Sequence, residues 1–181
     1  AEAMRLAGDG ESRRVAVTGP LFDTVTAELV FLNGGETAVV ESAQACGLGL
    51  TPLDQRSPLQ TTTFGVGEMI AAAVLSGARR IVVGLGGSGT NDGGMGLLAA
   101  LGWQFLDADG APLSPVGGSL GAVARVVPGS TLDGIELIAA CDVTTPLYGP
   151  AGAAATFAPQ KGASPGEVAR LDRGLAHFAA V

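Results

Sequence analysis

The sequence predicts an α/β fold, a mixed sheet in which an antiparallel β element is followed by alternating strands and helices. Strand-like runs at 13–18, 25–32 and 37–41 follow one another closely, and the turn signal Asn33-Gly34-Gly35 separates the second from the third. After residue 60, short β-branched runs alternate with segments of helical composition, which is typical of a sheet covered by helices. We therefore expect the opening third of the chain to be antiparallel.

The later elements are predicted from their end signals. Residues 61–63 are threonines and supply N-cap candidates before a helix at 68–76, which Gly77 ends. A second helix is predicted at 95–101. Ser164 and Glu167 have capping-box spacing with proline between them, which predicts a helix that continues to the end of the chain. Strands are predicted at 81–83, 103–106 and 135–141, and the last is expected to be buried.

Composition restricts the function. The chain has 181 residues, a formal net charge of −7 and 47% hydrophobic residues. Its basic residues do not cluster, which argues against nucleic-acid binding, and no apolar run approaches the ~20 residues that span a bilayer. Cys46 and Cys141 lie in apolar surroundings and are expected to be buried free thiols, as suits a reducing cytoplasm. The sequence does not determine the oligomeric state, and a homo-oligomer is one of the alternatives.

Residues 84–94, called the glycine loop, are the most informative segment. The loop follows a β-branched run, contains six glycines, and has Ser88, Thr90, Asn91 and Asp92 as its polar side chains. Glycines let the backbone approach a ligand, and free N–H groups before a helix favour an anion. A carboxylate at position 92 then needs a cation, a proton or a hydroxyl as its partner. This combination indicates phosphoryl transfer more than passive phosphate binding.

Two known phosphate-binding motifs, Walker A and the dinucleotide fingerprint, are alternatives for the glycine loop. Walker A is excluded because the loop has no lysine. Gly84, Gly86 and Gly89 fit the dinucleotide fingerprint, with Asp107 as the ribose-binding acid. Against this alternative, two further glycines prolong the loop where the fingerprint requires a helix, and Asp107 belongs to a turn sequence.

Two single residues further along have both a functional and a plain interpretation. Asp142 follows a predicted strand, where α/β proteins place ligand groups, but an Asx-turn would also explain it. Lys161 could neutralise a phosphate or could simply be exposed to solvent.

Four segments together resemble the type I family of bacterial glycerate kinases. They are Thr62-Thr63-Phe64-Gly65-Val66-Gly67-Glu68, the glycine loop, Cys141-Asp142-Val143, and Phe157-Ala158-Pro159-Gln160-Lys161-Gly162-Ala163. The glycine loop and the Pro-Gln-Lys-Gly-Ala segment are the most specific of them. The resemblance runs through nearly the whole chain in order.

The resemblance implies phosphorylation of D-glycerate by ATP with Mg²⁺, at position 2 or 3. Asp92 would orient or deprotonate the attacking hydroxyl, Lys161 would steady the substrate carboxylate or the transferred group, and Asp142 would be a metal ligand. The implied phosphate and substrate contacts are Gly86, Gly87, Ser88, Thr90, Asn91, Gly93, Gly94, Arg56 and Thr63. The alternative is a non-catalytic module that binds a phosphorylated metabolite or has a regulatory role.

The resemblance also implies a domain assignment. Residues 1–181 look like the central portion of a two-domain kinase, mainly the α/β domain inserted into a Rossmann-like domain. Residues 1–8 read as the tail of an earlier element, and we expect an excerpt of a longer protein. The nucleotide site would then draw on other segments, so that the isolated fragment folds but shows no turnover.

Overall fold

The computed structural model describes residues 10–181, so the tail predicted at residues 1–8 lies outside the described part. The strands are β1 (Glu11–Thr18), β2 (Thr24–Leu32), β3 (Thr37–Glu41), β4 (Arg80–Gly84), β5 (Gln104–Leu106), β6 (Arg125–Val127) and β7 (Glu136–Ala140). Five of them form the main sheet, in the order β1-β2-β3-β4-β7, and β5 pairs with β6 in a small second sheet.

The main sheet is mixed, as predicted. β1, β2 and β3 pair antiparallel, whereas β3, β4 and β7 run parallel to one another. The parallel register pairs Glu41 with Gly84 and Gly84 with Ala140, so these three strands end side by side. We call this end of the sheet the carboxyl edge.

The described part of the chain contains five α-helices: α1 (Ala43–Cys46), α2 (Phe64–Leu75), α3 (Met95–Ala100), α4 (Ala153–Phe157) and α5 (Pro165–Phe178). The capping box predicted for α5 is confirmed, because the Ser164 side chain accepts from the Glu167 amide and the Glu167 side chain accepts from the Ser164 amide. The helix was predicted to continue to the end of the chain, but it ends at Phe178. Among residues 10–181, no helix is both long enough and apolar enough to cross a bilayer.

The main core lies between one face of the sheet and α2. Alternate residues of each strand point to this face, as strand geometry requires. They include Ala27, Leu29 and Phe31 of β2, Val40 of β3, Ile81 and Val83 of β4, which pack with Val66, Met69, Ile70 and Ala73 of α2. A second cluster, with Met95, Phe105, Leu120, Leu171 and Leu175, joins α3 and α5 to the small sheet.

Helix α2 begins at Phe64, four residues before the predicted start. Gly65 and Gly67 lie in this added turn, although glycine weakens a helix interior. The structure shows why they are present: a Cβ at Gly65 would lie 1.9 Å from the Thr18 carbonyl oxygen, and one at Gly67 would lie 2.3 Å from that of Leu97. Tertiary contact therefore overrides local propensity.

Gly65→Ala is expected to lower the free energy of unfolding by roughly 1–3 kcal/mol, because the new methyl group overlaps a backbone oxygen that moves only with β1. The matched control is Gly166→Ala in α5, where a Cβ meets nothing within 4 Å. That change should raise stability by about 0.4–1 kcal/mol. Thermal unfolding of both variants checks the pair; equal midpoints would contradict the close approach of α2 to β1.

Strand β7 forms at the predicted position, but the expectation that it is buried was wrong. Within residues 10–181 all five of its residues are exposed, because β4 pairs with one edge of the strand and neither hydrophobic cluster packs against its faces. Cys141, which follows it, is an exposed free thiol, against the prediction, whereas Cys46 is buried as expected. An apolar run predicts a strand, but only its neighbours determine burial.

The dinucleotide alternative also fails. After β4, the glycine loop and α3, the chain enters β5, which belongs to the small sheet and not to the parallel part of the main sheet. Asp107 follows β5 and forms an Asx-turn, in which its Oδ1 accepts from the amides of Asp109 and Ala111 at 3.0 and 2.9 Å. No βαβ unit places it beside the loop.

Candidate active site

Two neighbouring cavities lie at the carboxyl edge, and the glycine loop contributes to both. The lysine cavity, of about 430 Å³, is lined among others by Gly86, Gly87, Ser88, Asp142, Gln160 and Lys161. The leucine cavity, of about 390 Å³, is lined among others by Ser42, Val66, Asn91, Leu97, Leu147 and Leu175. Leu85 and Ser88 line both. Ligands of open α/β sheets bind at this edge.

The structure brings most of the predicted site residues to these two cavities. Gly86, Gly87, Ser88, Asp142 and Lys161 line the lysine cavity, and Thr63, Ser88, Thr90, Asn91, Asp92, Gly93 and Gly94 line the leucine cavity. Arg56 lines neither. Its guanidinium donates to the Leu48 carbonyl at 3.4 Å, and its Nε is buried without a partner in the described part of the chain.

Asp92 is 1% exposed, and its carboxylate accepts four hydrogen bonds from the chain. Oδ2 accepts from the amide and the hydroxyl of Thr63, both at 2.8 Å, and from the Gly96 amide at 3.1 Å. Oδ1 accepts from the Gly94 amide at 3.2 Å. Thr63 precedes α2 and Gly94 precedes α3. One carboxylate therefore caps two helices, at the ends where the helix dipoles favour negative charge.

This geometry changes two expectations about the glycine loop. The Asp92 carboxylate was expected to need a cation, a proton or a substrate hydroxyl as its partner, but backbone amides and the Thr63 hydroxyl of the chain itself are its partners. The start of α3 was expected to cradle an anion, but Asp92 already occupies it. The Leu97 amide, also in the first turn of α3, donates to Thr63 Oγ1 at 2.9 Å. Donors for an anion must therefore come from other groups of the loop.

The first half of the glycine loop carries backbone donors suited to an anion. The backbone N–H groups of Gly86, Gly87 and Ser88 have no hydrogen-bond partner within residues 10–181. Gly87 has a φ of 74°, which favours glycine, and an added Cβ would meet that of Ala43 at 3.3 Å. Successive amides at such a turn make a concave site for an anion.

Lys161 is 6% exposed, so the alternative of a solvent-exposed lysine is wrong. Its Nζ donates to the Thr90 carbonyl at 2.6 Å and to Ser88 Oγ at 3.1 Å. It ends a 3₁₀ turn (Pro159–Lys161) that Gly162 terminates with a φ of 96°, against the Arg56 backbone. Two of the three ammonium protons are thus used by the glycine loop, and the third is left for the cavity that Lys161 lines.

Burial shifts the protonation of three groups behind the glycine loop. It raises the pKa of the Asp92 carboxyl above its ordinary value, against the lowering effect of the hydrogen bonds from Thr63, Gly96 and Gly94. Burial lowers the pKa of Lys161, with Cys46 and Asp92 acting in the opposite direction. It raises the pKa of the Cys46 thiol to about 12, so this cysteine is neutral and is no nucleophile near neutral pH.

Asp142 follows β7 at the carboxyl edge, and its exposed side chain lines the lysine cavity. Within residues 10–181, no three side chains of His, Cys, Asp or Glu are grouped so as to hold a metal ion. Mg²⁺ is commonly bound through one or two carboxylates together with substrate phosphates and water. One carboxylate in the lining of this cavity therefore fits such an ion, for which substrate phosphates and water would complete the ligands.

Sequence reasoning did not identify Ser42 and Gln160 as site residues. Ser42 is 4% exposed, directly follows β3 at the carboxyl edge, and lines the leucine cavity. Gln160 precedes Lys161 and lines the lysine cavity. Both could have been suggested by position, since one follows a parallel strand as Asp142 does, and the other lies within the Pro-Gln-Lys-Gly-Ala segment.

Comparison with known proteins agrees with the family resemblance of the four segments. The sequence model of the Glycerate kinase family matches residues 1–181. The glycerate kinase of Bacillus subtilis (strain 168) is 48% identical over 96% of this chain and 46% of its own length. The glycerate 2-kinase of Escherichia coli (strain K12) is 45% identical over 99% of this chain and 48% of its own.

A solved structure agrees in the same way. The crystal structure of the Salmonella typhimurium LT2 protein described as glycerate kinase 2 superimposes with a TM-score of 0.94 at 43% identity. It covers 99% of this chain and 49% of the Salmonella chain. The chain thus spans about half the length of the proteins it matches.

Proposed function

Because the chain belongs to the glycerate kinase family, we propose that the complete protein transfers the γ-phosphoryl group of ATP to a hydroxyl of D-glycerate. The observation that carries the proposal is Lys161, a buried ammonium fixed by Ser88 and Thr90 beside the unpartnered amides of Gly86 and Gly87. A fixed cation and backbone donors at one cavity are the groups that phosphoryl transfer requires.

In the proposed reaction, the glycerate hydroxyl oxygen bonds to the γ-phosphorus while the bond from that phosphorus to the ADP oxygen breaks. Negative charge then lies on the transferring oxygens. The Lys161 ammonium and the Gly86–Ser88 amides stabilise it, because their positions are held before the reaction by the glycine loop. The hydroxyl proton passes to water as the new bond forms, and the glycerate carboxylate is a second anion that Lys161 can neutralise.

The contacts of Asp92 favour a third role, that of holding the glycine loop in place, over orienting or deprotonating the attacking hydroxyl. Its four hydrogen bonds are all to the chain, and they tie the glycine loop to α2 and α3. We therefore assign Asp92 and Thr63 as positioning residues, which hold Ser88 and Thr90 in place for Lys161. Gly93 is exposed at the bend of the loop, and the Gly94 amide is used by Asp92.

Asp142 is the residue proposed to hold Mg²⁺ in the lysine cavity. The ion offsets phosphate charge when it is bound with ATP. Arg56 lies behind Gly162 and supports the Lys161 turn, which is the role its contacts favour. We also propose that the protein acts in the cytoplasm and that its active unit extends beyond residues 1–181. A homo-oligomer is part of the same proposal.

The proposal is tested by mixing the complete protein with ATP, Mg²⁺ and D-glycerate and measuring ADP release. We expect ADP to form in proportion to phosphoglycerate, with no release when glycerate or Mg²⁺ is omitted. An NMR spectrum of the product assigns the phosphorylated hydroxyl. Absence of turnover, together with tight binding of a phosphorylated metabolite by calorimetry, would instead support the non-catalytic module.

A further inference from the structure

We propose that the leucine cavity binds the purine base of the nucleotide, an inference that rests on the proposed kinase function. The cavity lies at the carboxyl edge, beside the site proposed for the phosphoryl group, and its volume of about 390 Å³ is within the range of small-molecule sites. Six aliphatic side chains line it: Val66, Leu85, Leu97, Leu147, Ala153 and Leu175.

The charges around the two cavities assign their ligands. Asp92 is the acidic side chain that lines the leucine cavity, and the Cys46 thiol beside it is neutral. Neither group is a cation that could bind an anionic hydroxy acid. Lys161, which is a cation, lines the lysine cavity instead. A three-carbon acid with oxygen on every carbon also gains little from aliphatic walls. A flat, uncharged heterocycle suits the leucine cavity, and the anions suit the lysine cavity.

Two unpartnered polar groups indicate a ligand at the leucine cavity. Ser42 Oγ and Asn91 Nδ2 are buried without a hydrogen-bond partner among residues 10–181, and the two residues are 4% and 8% exposed. Buried polar groups are almost always paired, so such groups at a cavity point to a missing partner. A carboxamide can donate and accept along the edge of a purine, as asparagine does with adenine.

The cavities are placed so that one nucleotide reaches both. Leu85 and Ser88 line each of them, and Ser88 Oγ accepts from Lys161. A nucleotide with its base among the leucines can therefore extend past Ser88, so that its phosphates meet Gly86, Gly87 and Lys161. The base would be held by residues of this chain, even though other segments were expected to supply the nucleotide site.

Leu147→Trp in the complete protein tests the inference. Leu147 is 48% exposed and lines the leucine cavity, so an indole there fills space with little effect on the core. Calorimetry should show the Kd of ADP rising by about tenfold or more, while the Kd of inorganic pyrophosphate stays within about twofold. The matched control is Leu53→Trp, on an exposed leucine that lines neither cavity, which should leave both constants unchanged.

Ser42→Ala and Asn91→Leu provide a second test that does not depend on filling the cavity. Each removes one unpartnered group, and each should weaken ADP but not pyrophosphate. Equal weakening of both probes, or an unchanged Kd for ADP in all three variants, overturns the inference. A rise in KM for D-glycerate with KM for ATP unchanged would assign the cavity to the acid instead. Failure of the kinase function is a separate outcome, since wild-type protein would then release no ADP from ATP and glycerate.

Discussion

Asp92→Asn is expected to lower kcat by about 10²-fold in the complete protein, because a displaced loop misplaces Ser88, Thr90 and Lys161. The same change should lower the free energy of unfolding by roughly 1–3 kcal/mol. An asparagine can keep its oxygen toward Thr63 and Gly96, where three donors converge. Its NH₂ group then faces the Gly94 amide, so that two donors meet in a buried site.

Steady-state kinetics and thermal unfolding measure both effects, with Asp107→Asn as the matched control. Asp107 accepts two backbone hydrogen bonds in an Asx-turn, which asparagine also forms, so that variant should behave as the wild type. The pH profile separates the two roles of Asp92. A positioning residue leaves the shape of the kcat profile unchanged, whereas loss of its acidic limb would show that Asp92 is the general base. Full activity in Asp92→Asn would contradict both roles.

Lys161→Met is expected to lower kcat by about 10²–10³-fold, the effect of removing one fixed donor from a transition-state site. The methionine has a similar length but carries no charge, and it leaves the Thr90 carbonyl without the hydrogen bond at 2.6 Å. Arg79→Met is the control, since it removes an exposed cation just before β4, at the opposite end from the carboxyl edge. Activity within a few-fold of wild type in Lys161→Met would show that this lysine only supports the loop.

The alkaline side of the pH profile gives an independent readout of Lys161. Burial lowers the pKa of its ammonium below the ordinary lysine value of 10.5. The protonated form binds the anions, so kcat/KM should fall as pH rises through that lowered pKa. Lys161→Arg keeps the charge throughout this range and should lose the alkaline limb, even if the larger guanidinium lowers the rate.

Local patterns in the sequence were enough to predict most elements and the family. The first three strands, the mixed sheet, the capping box at Ser164 and the turn at Asp107 were all predicted, because alternation, caps and turns depend on residues a few positions apart. The membership in the glycerate kinase family followed from four short segments and was confirmed by the family match. These features need no knowledge of what packs against them.

The tertiary structure determines the contacts between residues that are distant in the sequence, and no local pattern encodes these contacts. Asp92 finds its partner Thr63 at a separation of 29 residues, and Lys161 finds Thr90 at a separation of 71. The earlier start of α2, the exposure of β7 and the cavity at Ser42 likewise depend on which element lies alongside. Burial, pKa and hydrogen-bond satisfaction are properties of the packed neighbourhood, so a carboxylate that the sequence assigned to a substrate is found capping two helices.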